Sequence, residues 1–249
     1  MSGEVTIFTN NILEAGSVTV TGSPDSGFPE ERLWDRNISL FWLTSGTQAT
    51  VIQVDQGATG NVAVDFLSIE SHNFDGETIA WQYSPTGAFA GEETDAVAPW
   101  VQSGNGQIIV ELGAPVTARY WRVTITSMSG PTASEVFMGL GNTFNLMFSP
   151  SAKIGHEVNV SWRATVGGPE RSTRFGVKRK TRSYGLFLDN DTDLATLRTA
   201  LDYLDDFSKP LYLKDHEGNY WLCRFAPHPS ESWDNPDASR LVLNLLEML

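Results

Sequence analysis

The chain has 249 residues, is 41% hydrophobic, carries a formal net charge of -13 at pH 7 and contains one cysteine. Such length allows one large or two ordinary domains, and the apolar content is enough for packed cores. The acidic balance promotes solubility and, in the half of the chain that carries it, disfavours nucleic acid and anionic membrane surfaces as ligands; a lone cysteine excludes an internal disulfide.

The opening residues Met1-Ser2-Gly3-Glu4-Val5 lack a basic segment followed by an apolar run, and no stretch reaches the roughly 18 apolar residues of a membrane helix. Synthesis in a cytoplasm without membrane insertion is therefore expected. Charge is unevenly placed: residues 1–147 carry 4 Lys/Arg against 16 Asp/Glu, whereas residues 148–249 carry 13 against 14. Two domains with a boundary at 147/148 are expected.

Short strand-like runs recur in the first half: Val18-Thr19-Val20, Ala49 to Val54, Val62 to Ile69, Thr78 to Tyr83, Gln107 to Leu112, Tyr120 to Ile125 and Glu135 to Leu140. Seven or eight strands separated by glycine turns imply an antiparallel sandwich or jelly roll. Thr50, Ile52 and Val54 alternate with Val51, Gln53 and Asp55, so one face is expected to be buried. Trp42, Trp81 and Trp121 fall in or beside these runs and read as core. His72-Asn73 reads as a structural turn, because no second metal ligand stands at suitable spacing.

From Phe148 the pattern changes. Val158 to Arg163 alternates like a strand, Gly167-Gly168-Pro169 breaks it, and Arg174 to Leu188 reads as extended. Asp191 or Thr192 can cap a helix that places Leu194, Leu197, Leu201 and Leu204 on one face and ends at Ser208-Lys209-Pro210. Leu211-Tyr212-Leu213, a turn from Asp215 to Asn219, Tyr220 to Phe225, a proline-rich loop from Pro227 to Pro236 and a strand from Arg240 to Leu246 follow. This order describes a compact α+β unit with one helix. Cys223, between Leu222 and Phe225, reads as a buried core residue.

Trp34-Asp35-Arg36-Asn37 with Trp42, Ile52-Gln53-Val54-Asp55, Trp81-Gln82-Tyr83-Ser84, Ala118-Arg119-Tyr120-Trp121-Arg122 and Glu135-Val136-Phe137-Met138-Gly139 occur in this order over about 110 residues. The set resembles discoidin-type domains (coagulation factor 5/8 C-terminal type), a galactose-binding-like β-sandwich. The order of elements after Phe148 resembles the ring-forming domain of tailed-phage tube and distal-tail proteins. The expected fold is thus mainly β: a discoidin-like jelly-roll sandwich plus an α+β tail-tube-like ring domain.

The first resemblance implies a ligand site on loops at one end of the sandwich. A sugar site needs an aromatic platform beside hydrogen-bonding side chains, and Trp34, Asp35, Arg36, Asn37 and Trp100 supply such types. In a competing reading, Asp35 and Arg36 merely pair and tie the loop. Lys178-Arg179-Lys180-Thr181-Arg182 is the one basic cluster, read as a subunit interface whose counterparts are Asp202, Asp205 and Asp206 of an adjacent copy.

Enzymatic motifs are missing: no phosphate loop, nucleophile elbow or metal-ligand spacing, and Glu92-Glu93 lie in a loop with nothing to perturb their protonation. No catalytic residue, metal or cofactor is expected. The resemblances imply a siphophage virion component at the tail tip or baseplate. They imply a hexameric ring meeting the tail tube, baseplate hub and tape measure, DNA passing only through the lumen, and a sandwich facing a host surface glycan. The alternative is a soluble lectin-like protein.

Overall fold

The computed structural model describes residues 3–22, 24–58, 60–146, 152–164, 170–188, 191–205, 207–226, 230–235 and 238–248. Two compact units result: Asn10–Gly141, and Met1–Thr9 together with Asn142–Leu249. The boundary expected at 147/148 is therefore corrected. The sandwich is inserted into the second unit, because the strand Glu4–Phe8 lies in that unit's sheet between Gly141–Asn145 and Leu211–Lys214, with Ile7 opposite Leu213. Val5 and Ile7 enter the second core, and the hydroxyls of Thr6 and Thr143 are 2.8 Å apart. Alternation in a five-residue segment so distant from its partners in sequence carries no signal of which sheet it joins.

In the inserted unit, one antiparallel sheet has the order Ser17–Val20, Thr47–Asp55, Tyr120–Ser129, Thr78–Ser84 and Thr94–Asp95, with Trp100–Val101 also paired to Thr78–Ser84. The other has the order Glu135–Gly139, Val62–Glu70 and Ile108–Ala118. Ile52, Val54, Trp81, Trp121 and Val123 from the first sheet join Val64, Leu67, Ile69, Val136 and Met138 from the second in one core. Their period-2 spacing gives each strand its inner face. The Trp81 and Trp121 rings lie 5.6 Å apart, and Trp42 is fully buried with them.

The chain crosses between sheets at Arg119, from Ala118 to Tyr120. Arg119 donates to both carboxylate oxygens of Asp55 at 2.6 and 2.8 Å, so the resemblance motifs ending in Asp55 and containing Arg119 meet across the corner. At the other end His72 accepts the Phe74 N–H on Nδ1 and meets the Gly106 carbonyl with Nε2 at 2.6 Å. Burial lowers its pKa, which suits a neutral ring donating from Nε2. Asn73 joins this end to a neighbouring loop, donating to the Gly130 carbonyl and accepting the Thr132 N–H. His72-Asn73 is a structural turn.

The second unit carries an eight-stranded sheet in the order Gly141–Asn145, Glu4–Phe8, Leu211–Lys214, Tyr220–Phe225, Ala238–Glu247, Glu170–Leu188 and Ala152–Ala164, with Ser230–Asn235 added beside Ala238–Glu247. The proline-rich loop expected over 227–236 thus contains a strand, since Ser230–Asn235 pairs back on the next strand. Leu194, Leu197, Ala200 and Leu204 from the helix Asp191–Asp202 and the turn after it pack with Tyr184, Leu186, Leu188, Leu211, Leu213, Leu241 and Leu243. The expected helical face is the buried one. The cap expected from Asp191 lies outside the described side chains. Cys223 is buried, and desolvation pushes its thiol up to about 12, so it is an unreactive core residue.

Candidate functional site

Between Val20 and Thr47 the sandwich carries a long loop held by two apolar pegs, Leu33 and Trp42, both fully buried. Pro24 bridges Thr44, and the Asp25 N–H reaches the Leu43 carbonyl at 2.9 Å. A turn closes where the Phe28 N–H meets the Asp25 carbonyl; Gly27, at φ 88°, supplies the left-handed residue this turn requires. The 3₁₀ helix Glu30–Leu33 follows.

Anchoring Leu33 and Trp42 leaves their neighbours outside. Phe28 and Phe41 stack with ring centroids 4.9 Å apart and planes inclined by 30°, and Phe41 is 42% exposed. Arg32 lies 5.5 Å from the Phe28 centroid and donates from Nη1 to the Phe41 carbonyl at 3.0 Å. The sandwich has four arginines, of which Arg36, Arg119 and Arg122 pair with Glu14, Asp55 and Glu93. None of the ion pairs among the described residues takes Arg32. The cluster therefore presents an aromatic platform with a guanidinium at its rim. In general, an aromatic face with a guanidinium at its rim is a set of groups suited to stack on the C–H face of a sugar ring and to donate to its hydroxyls.

The expected glycan residues are distributed differently. Arg36 is 5% exposed, at φ 59°; its Nε donates to Glu14, its N–H donates to Glu135 at 2.8 Å, and its guanidinium covers the Phe137 ring. It is a buried anchor and is withdrawn from the site, and its partner is Glu14, not Asp35. Trp34 is half-buried against the core. Asp35 accepts the Asn37 N–H at 2.8 Å and Asn37 accepts the Ser39 N–H at 3.2 Å, so both shape the turn that leads to Phe41. Trp100 belongs to the strand Trp100–Val101, opposite Ile79, and its Nε1 donates to Gln102 at 3.2 Å.

Sequence reasoning missed Phe28, Arg32 and Phe41. The available signal was the pair Phe41-Trp42: where one of two adjacent extended residues is core, the other faces outward. Glu92 also differs from expectation. It accepts from the Ser84 hydroxyl at 2.7 Å, the Ala90 N–H at 2.7 Å, the Thr86 hydroxyl at 2.8 Å and the Phe89 N–H at 2.8 Å, which together hold its carboxyl well below the usual carboxylate range.

In the second unit, Lys178 is exposed and Arg179 half-exposed. Lys180 lies 4.2 Å from the Trp221 ring centroid; Arg182 lies 3.7 Å from it and pairs with Asp215 at 3.4 Å, both side chains buried. Arg182 is therefore a core anchor, and the outward basic residues of the cluster are Lys178 and Arg179. Among the described residues no group of three metal-ligating side chains occurs, and no helix is long and apolar enough to cross a membrane.

No family model matches the chain, and no curated protein matches it in sequence. Among solved structures, a Ruminococcus gnavus GH29 fucosidase in complex with fucose aligns over 53% of this chain and 27% of its own, with 19% identity and a TM-score of 0.45. A Paenibacillus chitosan-binding module aligns over 52% of this chain and 98% of its own, with 19% identity and a TM-score of 0.43. The family 32 carbohydrate-binding module of Clostridium perfringens NanJ, in complex with galactose, aligns over 53% and 98%, with 17% identity and a TM-score of 0.42. This chain thus spans about a quarter of the fucosidase and nearly all of each isolated module.

Proposed function

We propose that the inserted sandwich is a carbohydrate-recognition module whose contact surface is the Phe28–Arg32–Phe41 platform. The observation that carries this reading is the exposure of Phe41, stacked on half-buried Phe28, beside the sandwich arginine that takes part in no ion pair among the described residues. The ligand is a neutral or cationic saccharide, because Glu30, Glu31 and Asp35 surround Arg32 in sequence and the inserted unit is strongly acidic. Binding, not catalysis, is the activity. A glycan array probed with the full chain and with Phe41→Ala tests it: loss of a specific signal in the variant supports the platform, and absence of any wild-type signal overturns it.

A second reading, a ring-forming distal tail component of a phage virion with the sandwich as its peripheral module, is favoured by the insertion between sheet neighbours. Such an arrangement places a complete domain on a host unit without interrupting the host's strand pairing. Six copies would sum weak glycan sites into avid attachment. Electron micrographs of the purified protein test this reading: rings support it, and dispersed single chains at high concentration overturn it.

A further inference from the structure

Asp75-Gly76 and Asn105-Gly106 are the only Asp-Gly and Asn-Gly pairs in the chain. In such a pair the glycine has no Cβ to obstruct its backbone nitrogen, which can attack the side-chain carbonyl carbon of the residue before it and close a succinimide ring. The fold sets the two pairs against each other at the His72 end of the sandwich: the Asp75 N–H donates to Asn105 Oδ1 at 3.1 Å, and Asp75 Oδ1 accepts the Gly104 N–H at 2.6 Å.

The same contacts protect one pair and leave the other reactive. The Gly76 N–H, which would have to attack Asp75, donates to the Gln102 carbonyl at 2.9 Å, and the Asp75 carboxylate is held in place by Gly104. An ionised carboxylate is also a poor electrophile. Asn105 and Gly106 are both exposed. The bond from Asp75 to Asn105 Oδ1 draws electron density from Cγ, while neither the Asn105 amide nitrogen nor the Gly106 N–H makes a hydrogen bond among the described residues. Gly106 is tied by its carbonyl, 2.6 Å from Nε2 of His72.

We propose that Asn105 is a site of spontaneous deamidation whose products release the Gly106 carbonyl from His72. The Gly106 nitrogen bonds to Cγ of Asn105, the Cγ–Nδ2 bond breaks, and the proton shed by the Gly106 nitrogen leaves with ammonia. Water then opens the ring at either carbonyl, giving aspartate or, where the main chain is left running through Cγ, isoaspartate. Water is the only co-reactant.

Both products place a second carboxylate beside that of Asp75, and like charges at this spacing repel. Isoaspartate also lengthens the main chain by one methylene immediately before Gly106, which displaces its carbonyl. His72 is 4% exposed, so loss of this acceptor leaves a buried ring N–H unpaired. The other nitrogen of the same ring holds the Phe74 N–H at 3.1 Å, so the disturbance reaches the segment that leads to the protected Asp75-Gly76 pair.

Peptide mapping of the full chain, incubated folded at mildly alkaline pH beside Gly106→Ala and Asn105→Gln, tests the site. A Cβ at Gly106 meets nothing within 4 Å, so alanine fits the fold and adds bulk beside the attacking nitrogen alone. Conversion at Asn105 with release of ammonia is expected in the wild type, about tenfold slower in Gly106→Ala, and lost in Asn105→Gln. Hydrogen exchange at Phe74 is expected to quicken in the converted chain while the Thr47–Asp55 strand stays unchanged. An Asn105 that persists in the folded chain yet converts after unfolding overturns the site, as does equal conversion at Asp75 or an unslowed Gly106→Ala chain. Conversion that leaves exchange at Phe74 as it was overturns the release from His72.

Discussion

Asn11 ties the chain entering the sandwich to the chain leaving it: its carboxamide oxygen accepts the Met138 N–H at 3.1 Å while its amide donates to the Val136 carbonyl at 3.0 Å. The same oxygen caps the short helix Ile12–Ala15 through the Leu13 N–H. Close by, a Cβ on Gly139 would lie 2.2 Å from the Asn10 carbonyl oxygen, so the two ends of the insert run side by side with no room for a side chain. Ends this close are what allow a complete domain to sit between two strands of another.

Asn11→Ala is therefore expected to destabilise the sandwich by about 1–3 kcal/mol, since it strands buried partners in the Glu135–Gly139 strand and removes a helix cap. Urea unfolding followed by tryptophan fluorescence measures this. A change below a few tenths of a kcal/mol would show that water replaces the carboxamide.

Arg36 and Phe41, five residues apart, are expected to separate stability from binding. Arg36→Ala leaves Glu14 without its buried ion-pair partner and removes the cation that faces buried Glu135, and should cost about 3–5 kcal/mol. Phe41→Ala removes an exposed ring and should leave the unfolding midpoint nearly unchanged while abolishing glycan retention. Thermal unfolding and glycan binding, measured on both variants, check the pair of outcomes.

How much of this was legible in the sequence depends on the range of the interaction. Alternation along Thr47–Asp55 and the leucine spacing after Asp191 are local patterns, and both gave the buried faces found here. Trp81 and Trp121 were readable as core because each sits among strand-forming neighbours. The fate of Arg36 was not, since Glu14 and Glu135 are remote in sequence and Arg36 is drawn inward by a left-handed backbone that no local pattern marks. The insertion was hidden for a similar reason: pairing of Glu4–Phe8 with Leu211–Lys214 spans nearly the whole chain.

Glu135 gives the sandwich a pH dependence of definite sign. Burial raises its pKa well above the carboxylate norm, against the pull of the Arg36 charge and N–H. A carboxyl with a raised folded-state pKa holds its stabilisation below the unfolded value and loses it as pH rises through the folded value. Stability is therefore expected to fall as pH climbs from about 4.3, the unfolded carboxyl value, through the raised one. In Glu135→Gln this slope should be absent, as read by urea midpoints across the range.

Glu92 should act in the opposite direction on its own loop. Its carboxylate gathers the Ser84 hydroxyl, the Ala90 N–H, the Thr86 hydroxyl and the Phe89 N–H, and these donors depress its pKa. A depressed folded value means that the ordering is present above the unfolded carboxyl pKa and is lost as pH falls through the folded one. Proteolysis or hydrogen exchange of residues 86–92 should accelerate on acidification, and Glu92→Ala should show the fast behaviour already at neutral pH.

Asp215 provides the sharpest test of the second unit. Burial alone would raise its pKa, yet the Asn219 N–H, the Trp221 indole and the Glu217 N–H overcome that and hold the carboxyl below its ordinary value. The same group closes the turn from Asp215 to Asn219 and neutralises buried Arg182. Removing one member of a buried pair leaves the other charged without compensation, so Asp215→Ala should cost about 3–5 kcal/mol, whereas Arg182→Met with Asp215→Asn should recover a large part of the loss. Because the folded pKa is depressed, the wild-type advantage over Asp215→Ala should be full above the unfolded aspartate value and shrink as pH falls through the folded one. Guanidinium unfolding of the three chains at neutral and acidic pH checks both statements. An equal cost at every pH would show that the ionised carboxylate is not what stabilises this part of the second unit.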